Sequence, residues 1–221
     1  MHKLGNKTQI KSKSVNEHGY LHDVHGAHGK TSFRFPDHSF ELKWDKMPNA
    51  KSYALLLEDF DAMKVIGFPF IHWVAVNVKE NFVSEAASKL AFDHLKENLG
   101  KAMPSNLLWQ GYNSSVSKTL VTENKEKGSS LNGILPEMFT SLELEDAAQY
   151  FGPYPPDKDH VYTLTVFGLD VDASELEYKD ADGLSHKLDK PYYVGDFLQA
   201  VDTHVVGTYT LNFKYRQAGS N

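Results

Sequence analysis

Cysteine is absent from the 221-residue chain. Disulfide bonds, thiolate metal sites and cysteine nucleophiles are therefore excluded. A basic excess is also missing, since 23 Lys and Arg face 29 Asp and Glu and give a formal net charge of -6 at pH 7. A nucleic-acid binder usually carries a basic patch or stripe, so we expect no nucleic-acid partner. A small anion stays compatible with this charge, because a local pocket can be positive on an acidic protein.

Long apolar stretches are missing as well. No run approaches the roughly 18 apolar residues that a membrane span needs, so we expect no integral membrane segment. The N-terminal stretch MHKLGNKTQIKSKS carries charges without the apolar region that a secretory signal requires. We therefore expect a cytoplasmic protein.

Sequence motifs of the common nucleotide-binding and hydrolytic enzymes are lacking too. The chain contains no Walker-type phosphate loop, no dinucleotide fingerprint, no HExxH zinc helix and no GxSxG nucleophile elbow. The serines of GYNSSVSK, residues 111–118, have no convincing base near them in sequence. We assign no catalytic residue and no cofactor, and we expect a protein that is not an enzyme.

An N-terminal histidine tract has a spacing that resembles a metal site. Its members recur at spacings of four, three and three, which would align them on a helix. Glycines interrupt such a helix, and no cysteine or paired carboxylate completes a familiar zinc set. We therefore interpret the tract as a loop without a physiological metal; the histidines are His18, His22, His25 and His28.

The residues that are present favour a β-rich fold with a substantial core, since 41% of them are hydrophobic and 12% aromatic. Alternating or continuous apolar runs indicate strands in SFELKW, SYALLLED, FIHWVAVNV, HVYTLTVFGLD and GTYTLNFKY. Helices are expected over 85–99, capped by Ser84, and over 197–204, capped by Asp196. This order predicts a mostly β protein, an antiparallel Greek-key β-sandwich with peripheral helices, forming a single domain over residues 1–221.

Three side chains on the predicted strands are candidates for binding an anion. His160 and Tyr162 are two residues apart, so they share a strand face and offer two donors to an acceptor such as a phosphate oxygen. They follow a loop stiffened by three prolines, and His72 begins the valine face of another strand. Taken one at a time, each of these residues is better explained as part of the core or of the sandwich rim.

Asp59 and Asp61 close a buried strand and allow several interpretations. Paired carboxylates serve as acid and base, as metal ligands, or simply as turn residues. They also act behind a histidine, accepting a hydrogen bond from its ring and fixing which nitrogen faces a ligand. Nearby carboxylates favour protonated histidine, which would supply positive charge to an anion.

Four segments in the same order resemble the phosphatidylethanolamine-binding proteins, also called the Raf kinase inhibitor protein family, and most closely their bacterial and archaeal branch. The segments are LLLEDFDA, FIHWVAVNV, FGPYPPDKDHVYTLTVFGLD and HVVGTYTLNFKY. The likeness runs from about Ser32 to Tyr215, with probable insertions near 84–104 and 114–145. It implies a β-sandwich with a small, rigid surface pocket that takes phosphate-type groups, including phospholipid head groups and phosphorylated peptides.

The resemblance assigns ligand-binding residues by motif position: Asp59, Asp61, Phe70, His72, Pro155, Pro156, His160 and Tyr162. Phe70 falls where family members often place an aromatic at the pocket mouth. The chain also departs from the family pattern. Phe60 and Met63 replace two prolines of the acidic motif, and Val161 replaces an arginine that parity directs away from the pocket.

The expected function is thus a non-enzymatic binding protein for a small phosphate-bearing anion or phospholipid head group, with a kinase or protease as a possible protein partner. A metal-assisted hydrolase built from the His and Asp side chains is one alternative. An interaction module with a vestigial pocket, acting through residues 114–145, is another. Whether Asp157, Lys158 and Asp159 gate the pocket or only shorten its rim stays open.

Overall fold

The structure is a computed structural model and describes residues 9–31, 33–116 and 143–220. Strands dominate it, and the helices are short. The strands are β1 Ile10–Lys11, β2 Leu42–Trp44, β3 Ser52–Asp59, β4 Phe70–Val78, β5 Phe82–Val83, β6 Trp109–Gln110, β7 His160–Leu169, β8 Glu177–Lys179, β9 Ser185–Lys187 and β10 Val205–Tyr215. The α-helices are α1 Met63–Ile66, α2 Ala87–Glu97 and α3 Val194–Val201, and 3-10 turns lie at Asp23–His25, Leu144–Ala147 and Ala173–Glu175.

A five-stranded sheet in the order β10-β7-β3-β4-β6 forms the centre of the molecule. Every neighbouring pair in it is antiparallel. A three-stranded sheet, β1-β2-β5, and a hairpin of β8 and β9 complete the β structure of the described residues. The predicted mostly β, antiparallel fold is confirmed.

Strand β3 explains why a continuous apolar run appears in the sequence. Leu55 and Leu57 point into one core, which also contains Trp44 of the small sheet. Ala54 and Leu56 point into a second core on the opposite face of the central sheet, where α2 and α3 pack. Both faces of β3 are therefore buried, and alternation with polar residues is lost.

Both predicted helices exist with different N-termini. Ser84 does not cap α2. The N-cap position is Ala86, whose backbone lies in the left-handed region at φ 59° and whose N–H donates to the Ser39 carbonyl oxygen. Asp196 lies in the first turn of α3 and accepts the N–H of Tyr193, which is the actual cap position. A tertiary contact thus fixes the start of α2, whereas a local capping contact fixes the start of α3.

The N-terminal histidine tract folds as a loop against the end of the chain, as the glycines indicate. His25 is buried, and its Nδ1 lies 2.9 Å from the His38 carbonyl oxygen. His28 donates its backbone N–H to the Tyr215 hydroxyl at 2.9 Å. These contacts give the two histidines structural roles.

Two of the sequence predictions are not tested by the structure. The assignment of the whole chain to one domain stays a prediction. Most of the second proposed insertion falls on residues 117–142, which lie outside the described residues. Among the residues that the structure describes, no helix is both long and apolar enough to cross a membrane.

Candidate functional site

The candidate residues gather at one edge of the central sheet because three antiparallel strands meet there. Asp59 ends β3, and its register partners are Phe70 at the start of β4 and Tyr162 near the start of β7. His72 and His160 lie two residues further along β4 and two residues earlier on β7. The register alone therefore brings together residues that are about 100 positions apart in sequence.

His160 lies between two carboxylates. Its Nδ1 is 2.7 Å from Oδ2 of Asp59, and its Nε2 is 2.7 Å from Oδ1 of Asp157. A ring nitrogen that faces a carboxylate oxygen donates, so this arrangement suits a doubly protonated imidazolium. The His160 side chain is 1% exposed, whereas that of Asp157 is 46% exposed. One contact is therefore buried and the other opens to solvent.

Asp59 fixes the orientation of His160 from the buried side. Its second oxygen, Oδ1, accepts the backbone N–H of Ala62 at 3.1 Å, which closes the turn after β3. Both oxygens of this buried side chain are thus engaged. This is the supporting role that the sequence allowed for a carboxylate behind a histidine.

His72 is neutral at physiological pH, contrary to the expectation that nearby carboxylates would keep it protonated. Burial lowers the pKa of His72 to about 4, and this cost outweighs the attraction of Asp59. Its Nδ1 lies 2.6 Å from the Phe151 carbonyl oxygen and must donate to it. Nε2 therefore carries the lone pair, and His72 contributes an acceptor where a positive charge was expected.

The Tyr162 hydroxyl is a buried polar group that forms no hydrogen bond of good geometry among the described residues, although the Asp59 carboxylate and the Tyr154 backbone act on its pKa. Its ring packs edge-on against His72 at 5.1 Å and stacks on Phe213 at 5.6 Å. Burial raises the pKa of Tyr162 well above its usual value, and the charge of Asp59 raises it further. The hydroxyl therefore keeps its proton.

Asp61 braces the site from outside. Its Oδ2 accepts the backbone N–H of Val161 at 3.1 Å, and its Oδ1 lies 3.2 Å from Lys64 Nζ and 3.5 Å from Lys158 Nζ. The Val161 amide, followed by the lysines, lowers the pKa of Asp61 to about 2. The Val161 side chain itself is exposed, as parity predicts. Asp61 thus ties the loop after β3 to the start of β7.

The two predicted wall prolines differ in exposure. Pro155 is buried and Pro156 is exposed. The Pro155 carbonyl accepts the N–H of Ala218 at 2.8 Å, and the Pro156 carbonyl accepts Nε2 of Gln217 at 3.0 Å. The wall is therefore anchored to the C-terminal segment.

Phe70 lies inside the protein, with its ring 4.7 Å from that of His72 and 5.1 Å from that of Phe151. It belongs to a small core that also contains Ala62 and Val116. Exposed aromatic side chains occur instead at Phe60 and Phe68, which are near it in sequence, and at Tyr154.

Two contributors were not among the predicted site residues. Asp157 precedes His160 by three residues, and that short acid-to-histidine spacing was the available signal. The Phe151 carbonyl leaves no such signal, because any residue supplies a carbonyl. Within the described ranges, no group of three or more His, Asp or Glu side chains is arranged to hold a metal ion.

A family model described as phosphatidylethanolamine-binding protein matches residues 11–216. The chain belongs to this family. It is 29% identical to the Bacillus subtilis protein YxkA over 206 residues, which cover 91% of this chain and 97% of YxkA.

Two solved structures share the fold at 18% identity and a TM-score of 0.58. One is a phosphatidylethanolamine-binding protein homologue from Chlamydia trachomatis, covering 95% of this chain and 97% of its own. The other is Escherichia coli YbcL, described as a member of the mammalian PEBP family, with 94% and 97% covered. The predicted family resemblance is confirmed.

Proposed function

We propose that this protein is a non-enzymatic binding protein whose pocket takes a small phosphate-type anion, either free or as the head group of a phospholipid or phosphorylated ligand. The observation that carries this proposal is the unpartnered, buried hydroxyl of Tyr162 beside His160 and His72. A buried donor without a partner costs free energy that a ligand oxygen would recover.

The three side chains fit one particular form of such an anion. His160 and Tyr162 donate, whereas neutral His72 accepts through Nε2. Inorganic phosphate or a phosphomonoester that retains one proton supplies both oxygens to accept and a hydroxyl to donate, whereas the phosphodiester of a phospholipid head group supplies only the accepting oxygens. Sulfate at neutral pH has no proton to donate. Phosphate is therefore expected to bind more tightly than sulfate, as measured by calorimetric titration of each anion at pH 7; equal affinities would contradict the accepting role of His72.

The hydrolase alternative meets a specific difficulty in the geometry. Both ring nitrogens of His160 face carboxylate oxygens at 2.7 Å. A nitrogen that donates to a carboxylate has no lone pair for a metal, so this arrangement does not suit a ligand of a catalytic metal. We propose that the site binds without catalysis. Regulation of a kinase or protease, and the cytoplasmic location, stay predictions.

A calorimetric titration with inorganic phosphate and phosphoethanolamine tests the proposal. Replacing His160→Asn removes the donor at Nε2, and we expect about tenfold weaker binding because hydrogen bonds to charged groups are the strong ones. His186→Asn is the matched control, since His186 is also paired with an aspartate at 2.7 Å but lies on β9.

Two results would count against the proposal. One is the absence of phosphate binding at millimolar concentration in a wild-type protein that is folded. The other is a stoichiometric metal in protein purified without a His-tag, lost when His72 is replaced, which would favour the hydrolase.

A further inference from the structure

The Asp157 carboxylate occupies the position beside His160 Nε2 that an oxygen of a bound anion would take. Its Oδ1 lies 2.7 Å from Nε2, the separation typical of a charged nitrogen and an anionic oxygen. An oxygen of a bound phosphate would occupy the same direction from the ring. The Asp157 carboxylate and a ligand oxygen therefore exclude each other at Nε2.

The contact is not needed to orient the imidazole. Asp59, on the buried side, already fixes the ring through Nδ1. Asp157 lies at the solvent end, with nearly half of its side chain exposed. A rotation about its side-chain bonds would take the carboxylate into water while His160 stays in place.

The turn that carries Asp157 is anchored on both sides of it. The Pro156 carbonyl accepts Nε2 of Gln217 at 3.0 Å. Asp159 accepts the Tyr20 hydroxyl at 2.8 Å and the Gln217 N–H at 3.0 Å. Releasing Asp157 thus requires a side-chain movement and no rearrangement of the turn.

We propose that Asp157 is an internal competitor for the anion position, so that a ligand binds by exchanging one of its oxygens for the Asp157 carboxylate on His160 Nε2. The proposal rests on the proposed function of the site. A tethered carboxylate competes at a high effective concentration, so it lowers the affinity for every anion that uses Nε2. Only ligands that also engage further groups, such as the Tyr162 hydroxyl, displace it efficiently.

Two substitutions at this position test the exchange. Asp157→Asn keeps the shape of the side chain and replaces the carboxylate with a neutral amide. Asp157→Ser removes the carboxylate and also shortens the side chain. Asp202→Asn is the matched control, because it makes the same change in net charge on an exposed residue at the end of α3, away from the turn that carries Asp157. Inorganic phosphate is titrated into each protein at pH 7 by calorimetry, after circular dichroism has shown that each variant is folded.

We expect both Asp157 variants to bind phosphate about tenfold more tightly than wild type, because the internal competitor is removed. The Asp202→Asn variant should stay within about twofold of wild type, since its charge does not contact the ring. Two NMR signals give an independent readout. The ¹⁵N shift of His160 Nε2 in anion-free buffer should change in Asp157→Asn only. In wild type, saturating phosphate should move the Asp157 carboxyl ¹³C signal.

The outcomes separate this inference from the function on which it rests. If wild type binds phosphate and the Asp157 variants bind it equally or more weakly, Asp157 does not compete with the anion, and the proposed binding function is unaffected. If none of the proteins binds phosphate, both are wrong, because removing a competitor must reveal binding.

Discussion

At the scale of single residues, removing the Tyr162 hydroxyl is expected to affect phosphate binding and protein stability differently. It is buried and has no partner within the described part of the chain. Replacing Tyr162→Phe should therefore leave the free energy of unfolding unchanged or raise it by up to about 1 kcal/mol, because an unsatisfied polar group is removed. The same change should weaken phosphate binding about tenfold, because a donor to the anion is lost. Urea unfolding and calorimetry measure the two effects.

Tyr150→Phe is the matched control for this substitution. Tyr150 is equally buried, but its hydroxyl donates to the His25 carbonyl at 2.8 Å. Its loss should lower the free energy of unfolding by about 1 kcal/mol and leave phosphate affinity unchanged. If Tyr162→Phe were destabilised as much as Tyr150→Phe, the Tyr162 hydroxyl would have an internal partner and the assigned role would fail.

His72 makes the stability of the protein depend on pH. Burial depresses the pKa of His72 from 6.5 in the unfolded chain to about 4 in the folded protein. Its contribution is therefore complete above pH 6.5 and is lost as the pH falls towards 4, because the unfolded chain takes up a proton first. Over this window the loss amounts to about 3 kcal/mol for a fully buried group.

A variant without this histidine should lose less stability in acid. In His72→Asn the amide still donates to the Phe151 carbonyl, so folding is expected to persist. Urea unfolding at pH 7, 5.5 and 4 should show a shallower decline for His72→Asn than for wild type, with His186→Asn following wild type. Parallel curves for all three proteins would mean that His72 titrates normally in the folded protein.

At the scale of the elements, local sequence pattern predicts what lies on each strand, and register decides what meets. The parity rule correctly separates buried His160 and Tyr162 from exposed Val161. The pairing of Asp59 with His160 spans 101 residues and depends on how β3 and β7 align. No local pattern contains that information, so the contact could be assigned only as a possible role.

The same distinction explains the other differences from the sequence predictions. The start of α2 at Ala87 depends on a hydrogen bond from the Ala86 N–H to the carbonyl oxygen of Ser39, a residue outside the helix. The neutral state of His72 depends on complete burial, whereas the sequence showed only the carboxylates close to it. Propensity and charge pattern are short-range signals, and burial is set by the whole fold.

The segment that precedes the predicted wall prolines packs tightly at Gly152. A Cβ there would lie 2.3 Å from the His25 carbonyl oxygen and 2.7 Å from Pro36 Cβ. Gly152→Ala should therefore push the N-terminal loop away and destabilise the protein by about 1–3 kcal/mol through overpacking. Urea unfolding measures the change.

Gly195 provides the matched control for that substitution. It lies in the first turn of α3, and a Cβ there meets no atom within 4 Å. Gly195→Ala should leave stability unchanged or raise it by up to about 1 kcal/mol, because alanine is the better helix former. Equal stability of the two variants would show that the wall tolerates displacement of the His25 loop.

At the scale of the whole molecule, residues near both ends of the chain hold segment 153–156, which contains the predicted wall prolines. Ala27 donates its N–H to the Pro153 carbonyl, and Ala218 donates to the Pro155 carbonyl, each at 2.8 Å. Arg216 joins the two ends through a bidentate pair with Asp23, at 2.8 and 3.1 Å. The wall is thus ordered before a ligand arrives, which reduces the entropy lost on binding.

The surroundings of the site also show how an acidic protein could hold an anion. The net charge of -6 is unfavourable for an anion at long range. At short range Asp59 and Asp61 are already engaged, by His160 and by Val161 with two lysines. Asp157 is the remaining carboxylate in contact with His160, and it is the one that can rotate into solvent.

A crystal structure of the wild-type protein with phosphate tests the central claim most directly. The account predicts a phosphate oxygen within hydrogen-bond distance of His160 Nε2 and another near the Tyr162 hydroxyl, with the Asp157 carboxylate turned into solvent. A phosphate bound away from His160 and Tyr162, or none at saturating concentration with Asp157 still on Nε2, would contradict it.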